Sequence, residues 1–60
     1  MRMTMQQAQV RARLMRDAYG IDFRVWEAAH KAPGEGVLWI QAVTDAKPEE
    51  DALLIYTTEV

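Results

Sequence analysis

The apolar positions of this chain change period near residue 20, and that change separates its elements. Before it, Met5, Ala8, Ala12, Met15 and Tyr19 fall on one stripe when residues are spaced about 100° apart around a helix. Val10, Leu14 and Ala18 widen the stripe, and Gln6, Gln9, Arg13, Arg16 and Asp17 occupy the opposite face. Thr4 can cap this segment: its hydroxyl accepts from the backbone N–H of Gln7, whose side chain returns to the Thr4 N–H. Gly20 supplies the left-handed stop, and no Pro or Gly lies between. A helix over 5–19 is therefore predicted.

From Ile21 the period is two. Ile21, Phe23 and Val25 alternate with Asp22 and Arg24, and Trp26 and Ala28 place apolar bulk on the second face, which predicts a strand over 21–29. Pro33-Gly34 suits the centre of a type II turn inside a connecting loop. A second strand over 37–44 then pairs antiparallel with the first. Acidic Glu49, Glu50 and Asp51 after Pro48 resemble a helix start, whereas Ile55, Tyr56, Thr57, Thr58 and Val60 favour a strand. The reading is a loop or single turn at 47–51 and a third strand over 52–60, with a helix from Pro48 as the competing assignment. The expected fold is α+β, with one N-terminal helix packed on a three-stranded antiparallel sheet in the order α-β-β-β, in one domain over 1–60.

The segment Val37-Leu38-Trp39-Ile40-Gln41-Ala42-Val43 is apolar at six of seven positions. Such a run belongs to a strand covered on both faces, and one helix covers only one. Alternation puts Trp39 with Val37 and Val43, and Leu38, Ile40 and Ala42 on the other side. Which set meets the helix is not written in the pattern. With 60 residues, apolar burial returns roughly 90 kcal/mol against roughly 90 kcal/mol of ordering entropy, so the isolated chain comes out near balance. Small domains escape that balance through disulfides, metals or assembly. There is no Cys and one His, which leaves assembly or very good packing.

Composition narrows the chemistry further. Without Cys there is neither thiol catalysis nor a disulfide framework, and the polar N-terminal residues lack the apolar segment of a signal peptide. The expected location is cytoplasmic, with no membrane span. Net charge is −2, but it is divided: residues 1–31 carry +3 and residues 32–60 carry −5. His30 is the one side chain that ordinarily titrates near neutrality, and no sequence neighbour supplies a catalytic partner for it. No spacing of His, Asp and Glu matches a metal site, and there is no phosphate-cradling glycine loop. The expectation is a non-enzyme without cofactor or metal.

Two functional readings remain. In the first the chain is a small protein-interaction module, homodimeric or bound to another protein, that buries its surplus sheet face; Trp26, Leu38, Ile40 and Leu54 are the interface candidates, and Trp39 is a large aromatic of the same kind. In the alternative it is a nucleic-acid-binding regulator. Arg11, Arg13, Arg16, Arg24 and Lys31 would then meet phosphates, with Trp26 beside them to stack a base. Arg11 falls inside the apolar arc of the helix and must snorkel or pair.

Overall fold

The structure, a computed structural model, describes residues 3–28, 37–48 and 51–60. Helix α1 (Met5–Tyr19) starts on the predicted cap: Thr4 Oγ1 accepts from the Gln7 N–H at 3.1 Å and Gln7 Oε1 accepts from the Thr4 N–H at 3.0 Å. Gly20 ends the helix at φ 74°, donating its N–H to the Arg16 carbonyl at 2.8 Å. A side chain there would force an L-residue into the left-handed region, which only Gly adopts without cost.

Strands β1 (Phe23–Glu27), β2 (Leu38–Ala42) and β3 (Leu53–Thr57) form one antiparallel sheet in the order β2-β1-β3. The α-β-β-β order is the predicted one, and residues 53–57 form a strand rather than a continuation of a helix. The expected Pro33-Gly34 turn lies outside the described residues, as do His30, Lys31, Glu49 and Glu50.

The strand order adds what the pattern left open. The most apolar segment, β2, is an edge strand and is half-buried along its whole length, while β1 in the centre carries the buried residues. An edge strand has a neighbour on one side only, and a single helix shields one face, so apolar composition alone does not bury it.

The core beneath the helix consists of Ala8, Ala12, Phe23 and Val25, with Met3, Met15, Leu38, Ile40, Ala42, Ile55 and Tyr56 packed around it. Val25 is the only large side chain among the described residues that is fully buried. The helix buries two alanines against the sheet, which let its backbone lie close, and packs Met15 beside them. The widening residues Val10 and Leu14 turn away from the sheet, Leu14 being 62% exposed. Met5 and Tyr19, at the ends of the predicted stripe, are exposed as well.

A polar clasp closes the end of the sheet. Thr58, buried, donates its hydroxyl to Asp22 Oδ1 at 2.8 Å and accepts the Phe23 N–H at 3.0 Å, while its own N–H reaches the Phe23 carbonyl at 3.0 Å. It joins the turn after α1 to the segment after β3.

Candidate interaction face

Strand register decides which side chains share the face turned away from α1. Phe23 stands opposite Ala42, Val25 opposite Ile40 and Glu27 opposite Leu38, so Leu38, Ile40 and Ala42 point with the core residues toward the helix. The alternating set points the other way: Trp26 stands opposite Trp39, and Arg24 opposite Gln41. Val37, one residue before β2, continues that alternation and is half exposed.

On the other side of β1 the register slips. Val25 faces Tyr56 and Trp26 faces Leu54, leaving Ile55 as one extra residue in β3. This bulge lets both Ile55 and Tyr56 pack on the core while Leu54 and Thr57, three apart, share the far face. Strict alternation would have separated Leu54 from Thr57.

The result is two rows across the open face. Trp39, Trp26 and Leu54 make an apolar row, the two tryptophans partly buried and Leu54 50% exposed; Gln41, Arg24 and Thr57 make a polar one about 7 Å further along the strands. Each row is ordered by hydrogen bonds. The Trp39 indole N–H donates to Gln41 Oε1 at 3.3 Å, and Gln41 Nε2 donates to the Ala46 carbonyl at 2.8 Å, which ties the indole to the turn after β2. Arg24 Nε donates to Glu59 Oε1 at 2.7 Å, and the same oxygen accepts the Thr57 hydroxyl at 3.0 Å. The hydrogen bond from Arg24, followed by that from Thr57, holds the Glu59 carboxyl below the usual carboxylate range, and the bond to Glu59 raises the Arg24 guanidinium in turn. Both groups remain solvent-accessible.

The interface candidates therefore divide. Trp26 and Leu54 lie on the open face, Trp39 lies between Val37 and Gln41 on the same side, and Leu38 and Ile40 belong to the core side of β2. Leu38 and Ile40 stand opposite Glu27 and Val25 on the core side, so they are not part of this open face. Gln41 and Glu59 were not legible as members. Glu59 is 35 residues from Arg24, and only the β1–β3 pairing joins them.

Among the described residues the basic side chains divide between the helix and the sheet, and Lys31 lies outside them. Arg11 and Arg13 project to different sides of the exposed helix, about 160° apart, and Arg16 pairs with Asp17 at 3.3 Å. Arg24 is on the far side of the sheet, paired with Glu59. Arg11, expected to snorkel, is exposed at the margin of the buried stripe. Among the described residues there is no group of three or more His, Asp or Glu side chains able to hold a metal ion, and no helix is long and apolar enough to cross a membrane.

No family model, curated protein or solved structure matches this chain.

Proposed function

We propose that this chain is a homodimeric interaction module whose open sheet face is the dimer contact. The observation that carries the reading is the Trp39-Trp26-Leu54 row, which crosses all three strands on the face opposite the helix. Large aromatics at the centre of a flat face and a polar rim beside them are the composition of an interface hot spot.

Charge and a small core support a second copy as the occupant. The charged residues of the polar row, Arg24 and Glu59, are already paired, so two copies would meet there without net repulsion. A core with one fully buried large side chain among the described residues also gives the protomer reason to gain burial by assembly.

Sedimentation equilibrium over a wide concentration range, at low and high salt, tests the reading. The expected result is a salt-resistant dimer, weakened by Leu54→Ala, a change that costs little inside the protomer because Leu54 is half exposed. A monomer at every concentration overturns the homodimer.

A further inference from the structure

We draw no further inference here: the strongest candidate, the Trp39-Trp26-Leu54 row on the sheet face turned away from α1, belongs to the site already described, and nothing in the structure shows what covers it.

Discussion

Replacing Val25 with Ala tests the core at its narrowest point. Val25 is fully buried in the central strand, between Ile40 and Tyr56, with Ala8 and Ala12 in the same core cluster. Removing two methyl-sized groups costs about 1.6 kcal/mol of transfer free energy at ~0.8 kcal/mol each. A residual cavity of about 40 Å³ adds ~1 kcal/mol, because a helix held at two points and a paired sheet relax only in part. The sum, about 2.5 kcal/mol, is large for a domain whose total stability is about 3–9 kcal/mol at ~0.05–0.15 kcal/mol per residue. Urea denaturation followed by far-UV circular dichroism is the assay, with both proteins at the same concentration so that assembly contributes equally. With a slope of ~1 kcal/mol/M for so small a chain, the midpoint should fall by about 2–3 M. A shift below about 0.5 M at unchanged slope would mean that Val25 is not the keystone of this core, and would refute the packing described here.

Four further outcomes follow from the same geometry. Ala12→Leu should cost about 1–3 kcal/mol by forcing the helix off the sheet, measured by the same urea assay, since Ala12 is fully buried. Thr58→Val keeps the shape but leaves the buried Phe23 N–H without its acceptor, so a loss of about 1–3 kcal/mol is expected and hydrogen exchange at Phe23 should accelerate. Thr4→Ala removes the acceptor for the Gln7 N–H and should cost about 1 kcal/mol, with the first turn of α1 losing exchange protection. Glu59 has a folded pKa below its ordinary value, so its contribution is fully present above the unfolded carboxylate pKa of ~4.3 and is lost as pH falls through the lower folded value. The urea midpoint of the wild type relative to Glu59→Gln should therefore hold steady down to that range and converge below it; a gap that widens on acidification would count against the pair.

Local signals in the chain determined the elements because each depends on neighbours in sequence. Thr4 and Gln7 cap one end of α1, Gly20 turns the other, and the change to period two after it announces β1. The β-branched and aromatic residues after Asp51 were enough to make 53–57 a strand. That two residue sets of β2 face opposite ways was equally legible, since alternation requires it.

Only the tertiary structure decided what each face meets. Helical periodicity allowed a wide stripe on α1, and docking fully buried just Ala8 and Ala12, with Met15 packed beside them, because a close approach favours the smallest side chains. Nothing local revealed that β1 would take the centre, so the apolar β2 looked like the better candidate for burial. The bulge at Ile55 and the meeting of Arg24 with Glu59 likewise come from the β1–β3 pairing. The sequence alone thus determined the elements and their order, through interactions a few residues long. The open face, with its tryptophan row and its ion pair, was decided by pairings between distant segments, whose register local propensity does not encode.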